Sequence, residues 1–131
     1  MPKRRALPPS ESDVSALQAA AMPEETLRLN MRSAMLQLRW LHYHTQDSRR
    51  SDSGFPDIVG VRSPRFLCAE LKTMKGILSP SQREWALATI PNPGVEVYVL
   101  RPADWLDGTV LAILNAQEPP MAILLRILER E

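Results

Sequence analysis

Residues 54–61 read GFPDIVGV, and residues 66–73 read FLCAELKT. Both stretches are apolar runs with strand character, and each carries an acidic residue near one end, Asp57 in the first and Glu70 in the second. A carboxylate inside an apolar sheet is costly to desolvate unless a positive charge neutralises it. The two stretches therefore predict neighbouring strands whose acidic ends share a cationic partner.

The spacing of the charged residues indicates what that partner is. Glu70 and Lys72 lie two positions apart, so on a strand they share a face at roughly 7 Å from each other. Asp57 starts the neighbouring strand and can reach the same point. Two converging carboxylates repel each other unless a hard cation takes their oxygens, and Mg²⁺ does so while keeping positions for phosphate oxygens. A lysine beside such an ion can hold the attacking water or balance charge in a pentavalent transition state.

The remaining pattern predicts an α/β three-layer domain with a small mixed sheet flanked by helices. The apolar periodicity predicts these elements in chain order: a helix at 23–38, strands at 40–46, 57–61 and 66–72, a helix at 79–90 with Trp85 in the core, a strand at 95–100, and helices at 102–114 and 121–130. We expect residues 1–22 to be a flexible arm with room for one short helix. Residues 23–114 would be the domain, and residues 115–131 its terminal helix.

The length and composition of the chain limit the class of protein it can be. A chain of 131 residues is long enough for one core. The single cysteine, Cys68, excludes an internal disulfide and is expected to be a small buried hydrophobe. The sequence has no apolar run near the ~20 residues that a bilayer span needs, and its basic start lacks a signal-peptide core. We therefore expect a soluble cytoplasmic protein with no membrane partner.

Charge is unevenly distributed although the net charge is only +1. Residues 39–83 contain eight basic and four acidic residues, whereas residues 84–131 contain three and seven. The basic half coincides with the candidate site, as a phosphate-backbone ligand would require. The alternative is ordinary solvated surface charge.

Three segments together resemble a known family. Residues 44–57 (HTQDSRRSDSGFPD), 69–73 (AELKT) and 76–85 (GILSPSQREW) are similar to the VRR-NUC branch of the PD-(D/E)xK nucleases, over roughly residues 24–102. The resemblance implies a restriction-endonuclease-like core and a Mg²⁺- or Mn²⁺-dependent endonuclease that acts on branched DNA, as Holliday-junction resolvases do, often as a homodimer. The chain departs from the family at Arg39, where a glycine is expected, and in the proline-rich turn at 91–94.

The resemblance also implies roles for individual residues. Asp57 and Glu70 would be metal ligands, the Leu71 carbonyl a further ligand, and Lys72 the catalytic lysine. In addition, Gln82 would contact the site from a helix, and Glu24 would be the upstream helix carboxylate. Helical phase independently places Glu24 on the face of the buried stripe. We further expect phosphate contacts from Arg49, Arg50 and Lys75, and a water or phosphate contact from His44.

Each residue also has a structural interpretation. Asp57 could cap a turn, and Glu70 could form a buried ion pair with Lys72. Gln82 is three residues after Ser79, which is the spacing of a capping box. His44 could be an ordinary half-buried histidine.

Two rival functions remain at this point. One is a catalytically silent DNA-binding or assembly subunit that keeps the nuclease fold. The other is a homo-oligomeric scaffold whose terminal helix presents a partner face made of Met121, Leu124, Leu125 and Leu128.

Overall fold

The computed structural model describes residue 8, residues 10–45 and residues 52–131, and these form six helices and one four-stranded sheet. The elements are α1 (Glu11–Ala21), α2 (Glu24–Gln37), β1 (Leu41–His44), β2 (Ile58–Arg62), β3 (Arg65–Leu71), α3 (Pro80–Thr89), β4 (Val95–Leu100), α4 (Pro102–Leu106), α5 (Thr109–Asn115) and α6 (Met121–Arg130). The α/β class is confirmed.

The sheet is mixed, as predicted. Its strand order is β1-β2-β3-β4, with antiparallel pairing of β1 with β2 and of β2 with β3. β3 and β4 are parallel, and α3 makes the crossover between them that a parallel pair requires. Because β2 and β3 are joined by the two residues Ser63 and Pro64, their far ends are held in a fixed register next to the candidate site.

The core lies on one face of this sheet. Alternate strand residues, such as Leu67 and Ala69 in β3 and Tyr98 in β4, pack with the buried stripe of α2 and with α5 and α6. α3 covers the other face, where it approaches Cys68 and Glu70. Cys68 is buried, as predicted, and burial raises the pKa of its thiol. Among the described residues no helix has the length and apolarity needed to cross a membrane.

α2 ends in a Schellman motif. The backbone N–H of Trp40 donates to the Met35 carbonyl at 2.8 Å, and that of Arg39 donates to the Leu36 carbonyl at 3.2 Å. Arg39 takes the left-handed conformation of this motif, with φ of 65°. Glycine is the usual residue there, because it has no Cβ to strain the backbone. The glycine expected at position 39 would therefore adopt this positive φ without strain, whereas Arg39 adopts it at a cost in backbone energy.

Arg65 has a different role from the one its sequence context suggests. The strand was predicted to begin at residue 66, and Arg65 was counted among the basic residues of 39–83, but it is the first residue of β3 and only 1% exposed. Its guanidinium donates to both carboxylate oxygens of Glu96, at 3.0 and 2.6 Å, and to the Ile113 carbonyl at 2.6 Å. It also lies 4.9 Å from the ring centroid of Trp40. Arg65 is thus a structural cation and is not available to DNA.

Two of the predicted helices differ in the structure. The helix expected at 102–114 is two helices, α4 and α5, because Gly108 takes a φ of 84° and Asp107 Oδ1 accepts from the Thr109 N–H at 2.9 Å. The prediction that Trp85 lies in the core is also wrong. It is 42% exposed and packs edge-on against Phe55, with ring centroids 5.3 Å apart. Ala86, the next residue of α3, is less exposed than Trp85.

The first and last described helices, α1 and α6, pack on the domain. In α1, Ser10 forms a capping box with Asp13, and Ala19 is buried where the helix packs against α4. The expected arm therefore contains an eleven-residue helix. At the other end, Leu124 belongs to the core and Leu128 packs against it, so the partner face proposed for the terminal helix is wrong for these two residues. Met121 and Leu125 are exposed.

Candidate active site

Asp57 and Glu70 meet at the open end of the β2–β3 pair. Ile58 is opposite Ala69 in the antiparallel register, so Asp57, one residue earlier, comes to lie opposite Glu70, one residue later. The backbone N–H of Leu71 donates to Asp57 Oδ2 at 2.8 Å. The carboxyl groups of Asp57 and Glu70 are within hydrogen-bond reach of each other. The structure therefore brings the two predicted carboxyl groups together.

Gln82 connects this pair to α3. Its Nε2 donates to Glu70 Oε1 at 2.9 Å, while its Oε1 accepts from the Ser79 N–H at 2.8 Å. The Ser79 hydroxyl in turn accepts from the Gln82 N–H, which completes a capping box. The capping role and the contact with the site were considered as alternatives. One side chain does both, so the start of α3 fixes the orientation of Glu70.

The environment of Glu70 raises the pKa of this carboxyl to about 9. Burial is the largest cause, followed by the hydrogen bond with Asp57 and then by the charge of Asp57. The nearby Lys72 opposes the shift, and Glu24 adds to it. The charges of Lys72 and Glu24 therefore both act on the Glu70 carboxyl. Glu24 itself is exposed in the first turn of α2. Without a cation, Glu70 keeps its proton at neutral pH.

The donor groups suit a hard divalent cation that keeps some of its waters, and they are too few to enclose an ion with protein ligands alone. In the part of the chain that the structure describes, no three His, Cys, Asp or Glu residues gather closely enough to hold an ion. Mg²⁺ is bound through one or two carboxylates and keeps several waters, so a carboxyl pair with a neighbouring backbone carbonyl fits it. A bound dication would also release the proton that Glu70 retains. The part of Glu24 as a direct ligand stays a prediction.

Lys72 lies just beyond β3 in a turn that a distant arginine holds. The Lys72 N–H donates to the Leu100 carbonyl at 3.0 Å. Arg101 Nη1 donates to the carbonyls of Thr73 and Gly76, both at 2.7 Å. The other end of its guanidinium pairs with Glu131 at 2.6 Å. No sequence pattern pointed to Arg101, since backbone carbonyl acceptors are present at every residue.

The same turn carries Lys75, which is exposed. Its ammonium is therefore accessible to solvent and to a phosphate group. Arg49 and Arg50, the other two basic residues expected to contact phosphate, lie outside the described residues.

His44 lies among arginines that were not predicted from the sequence. It is half-buried at the end of β1, and its Nε2 is 3.3 Å from Arg32 Nη1. Burial is the main cause that lowers the pKa of His44, and the positive charges of Arg32 and Arg28 lower it further. Arg28 and Arg32 follow Glu24 at intervals of four, so they line one side of α2. That spacing was the signal that could have found them.

A comparison with models of protein families identifies the family of this chain. The family model described as the VRR-NUC domain matches residues 8–104. The chain belongs to the VRR-NUC family. Membership implies a nuclease-type function with DNA as the substrate. Neither a curated protein nor a solved structure matches the chain significantly.

The VRR-NUC match spans the whole of the candidate site. It begins before α1 and ends in α4, so it includes Glu24, Asp57, Glu70, Lys72 and Gln82. It excludes α5 and α6, which complete the core on the opposite face of the sheet. The VRR-NUC region of this chain therefore contains the candidate site residues and most of the core, and α5 and α6 complete that core.

Proposed function

We propose that this protein is a divalent-metal-dependent endonuclease that hydrolyses phosphodiester bonds in DNA and is selective for branched or junction structures. We further propose that its sheet and helices form the three-layer core of the PD-(D/E)xK nucleases. The observation that carries the proposal is the carboxyl pair of buried Glu70 and half-buried Asp57, with the charge of Lys72 acting on Glu70. Such a pair is costly to maintain in a folded protein unless a cation uses it.

Each side chain has a part in this proposal. Asp57, Glu70 and the Leu71 carbonyl would hold Mg²⁺ or Mn²⁺. The ion would supply Lewis acidity at a phosphoryl oxygen and favour deprotonation of water. The Leu71 N–H fixes the Asp57 carboxyl, and Gln82 fixes that of Glu70. The Lys72 ammonium would orient the attacking water or stabilise negative charge that develops on the phosphate.

DNA recognition in this proposal rests on shape and charge. The contacts would go to the phosphate backbone without sequence preference. Lys75 is one such contact, with Arg49 and Arg50 as further candidates. A four-way junction has a two-fold symmetry that a homodimer would match. The products would carry 5′-phosphate and 3′-hydroxyl ends, as the superfamily resemblance implies.

Nicking of supercoiled plasmid tests the catalytic part. We expect wild type to nick in Mg²⁺ and not in EDTA, and the rates of Asp57→Asn and Lys72→Ala each to fall at least about 100-fold. Glu84→Gln removes an exposed carboxylate of α3 and is the matched control, with wild-type activity expected. Equal nicking by all four proteins would show that the activity does not come from this site.

A panel of substrates tests the finer part. Linear duplex, flap, fork and four-way DNA would be compared under the same conditions, with light scattering to give the mass in solution. Faster cutting of branched forms by a dimer is expected. Wild type that binds these DNAs but cuts none of them in Mg²⁺ or Mn²⁺ would favour the catalytically silent subunit instead.

A further inference from the structure

A second cluster of charge lies along α2, beside the candidate active site. Glu24, Arg28 and Arg32 follow one another at one helical turn, so the two arginines lie about 6 and 12 Å along the axis from Glu24. The charge of Glu24 contributes to the raised pKa of Glu70, so it acts on the carboxyl pair. The two arginines continue the same side of the helix beyond Glu24.

β1 brings this row next to the segment that carries Asp57. His44, the last residue of β1, contacts Arg32, and Arg28 also acts on its ring. The next residue, Thr45, donates its N–H to the Asp57 carbonyl at 3.0 Å. One residue of chain thus separates the arginine cluster from the backbone of a candidate metal ligand.

Arg28 and Arg32 each have N–H donors without a hydrogen-bond acceptor in the described part of the fold. The Nε atoms of Arg28 and Arg32 are buried and have no hydrogen-bond partner among the described residues. A guanidinium has five N–H donors, and the contact described for Arg32 is with an imidazole nitrogen, which must act as the acceptor. Arg28 pairs with Glu25, and its side chain is 32% exposed. Arg32 has only the His44 ring nitrogen as a described contact, so among the described residues its charge has no carboxylate partner.

We propose that Arg28 and Arg32, with His44 orienting Arg32, bind the phosphate backbone of the DNA strand that leads into the active site. The inference rests on the proposed nuclease function, which names DNA as the ligand. Arginine suits this role because its planar fork makes paired hydrogen bonds to phosphate oxygens. A phosphate would satisfy donors that the described fold leaves open, and it would compete with Glu25 for Arg28.

The test is DNA binding in EDTA, measured by fluorescence anisotropy with a labelled duplex and a labelled four-way junction. The variant Arg28→Ala/Arg32→Ala is expected to raise Kd at least 10-fold at moderate salt. It should also reduce the slope of log K against log salt concentration by about 2, close to one unit for each phosphate that is no longer neutralised. Arg126→Ala, which removes an exposed arginine of α6, is the matched control and should bind as wild type does.

A conservative variant separates a binding defect from a folding defect. Arg28→Lys/Arg32→Lys keeps both charges, so it should retain most of the salt slope even if the alanine variant does not fold. A lysine variant and an alanine variant that both bind like Arg126→Ala would overturn the inference. The alanine variant can also turn out to be unfolded. In that case the inference is overturned if the salt slope of the lysine variant falls by about 2, as expected for the loss of two charges.

Failure of this inference and failure of the nuclease proposal give different results. Wild type that nicks plasmid, together with arginine variants that bind and nick normally, would remove only the phosphate-binding role. Wild type that never nicks but binds DNA through these arginines would remove only the catalysis.

Discussion

Glu70 determines the electrostatics of the site at the scale of single residues. Burial and the neighbouring Asp57 raise its pKa from an ordinary 4.5 to about 9. Between these pH values the folded metal-free protein holds a proton that the unfolded chain has released. The free energy of unfolding must therefore fall as the pH rises through this window, whereas below it both states are protonated and the contribution is constant.

Glu70→Gln should remove this dependence. In EDTA, wild type is expected to become less stable than the variant by up to about 1.4 kcal/mol per pH unit between about pH 5 and about pH 9. Urea denaturation at a series of pH values measures the difference. Glu84→Gln, at an exposed position, should follow wild type. If the stability of Glu70→Gln changes with pH as that of wild type does, Glu70 is not the group that retains the proton.

Arg39 gives a second prediction at this scale. Its φ of 65° places a Cβ in the left-handed region, which costs roughly 1–2 kcal/mol for residues other than glycine. Glycine also loses more entropy on folding, so the net gain from Arg39→Gly should be about 0.5–1 kcal/mol. Arg39→Ala, which keeps the Cβ, is the control and should give no gain. Thermal unfolding measures both, and equal stability of the two variants would contradict the argument.

At the scale of elements, the segment before β2 holds the start of α3 in place. A Cβ at Gly54 would lie 2.4 Å from the Ser81 carbonyl oxygen and 2.9 Å from the Gln82 backbone nitrogen. These are backbone atoms, which cannot rotate away. Since Gln82 holds Glu70, a shift of the first turn of α3 is transmitted to the carboxyl pair.

Gly54→Ala should therefore lower both stability and nicking. Gly94→Ala is a close control, because Gly94 has a similar φ of 85° but nothing within 4 Å of its Cβ position. Both variants carry the strain of a positive φ, roughly 1–2 kcal/mol. Only Gly54→Ala should slow nicking, by about 10-fold or more, as expected for a misplaced catalytic group. Equal nicking rates in the two variants would mean that α3 does not position the site.

The elements also show what could be predicted from this sequence. The four strands followed from apolar runs, and the approach of Asp57 to Glu70 followed because the two acidic residues lie near the ends of adjacent runs joined by a short turn. Trp85 was misplaced because an apolar residue on a helix does not say whether the sheet beneath has room for it. Arg65 was misplaced because its partner, Glu96, lies in another strand, 31 positions away. Long-range pairs of this kind depend on register, which a single sequence does not reveal.

At the scale of the molecule, most of the candidate site residues come from one stretch of the chain, and the C-terminal helices contribute to the core. The candidate ligands Asp57, Glu70 and Leu71, with Lys72 and Gln82, lie within residues 57–82, and Glu24 lies in α2, while the C-terminal helices complete the core behind the sheet. The uneven charge follows this division, with the basic excess on the side of the chain that carries the site. Arg101 links the two parts by holding the turn after Lys72. In the proposed mechanism these residues hydrolyse DNA only if a cation binds between Asp57 and Glu70.

Anomalous scattering from crystals soaked in Mn²⁺ tests that claim most directly. We predict one anomalous peak within about 2.0–2.6 Å of a carboxyl oxygen of both Asp57 and Glu70, and its disappearance in crystals of Asp57→Asn. A peak at other residues, or a carboxyl pair that stays hydrogen-bonded with no peak beside it in excess Mn²⁺, would contradict the account.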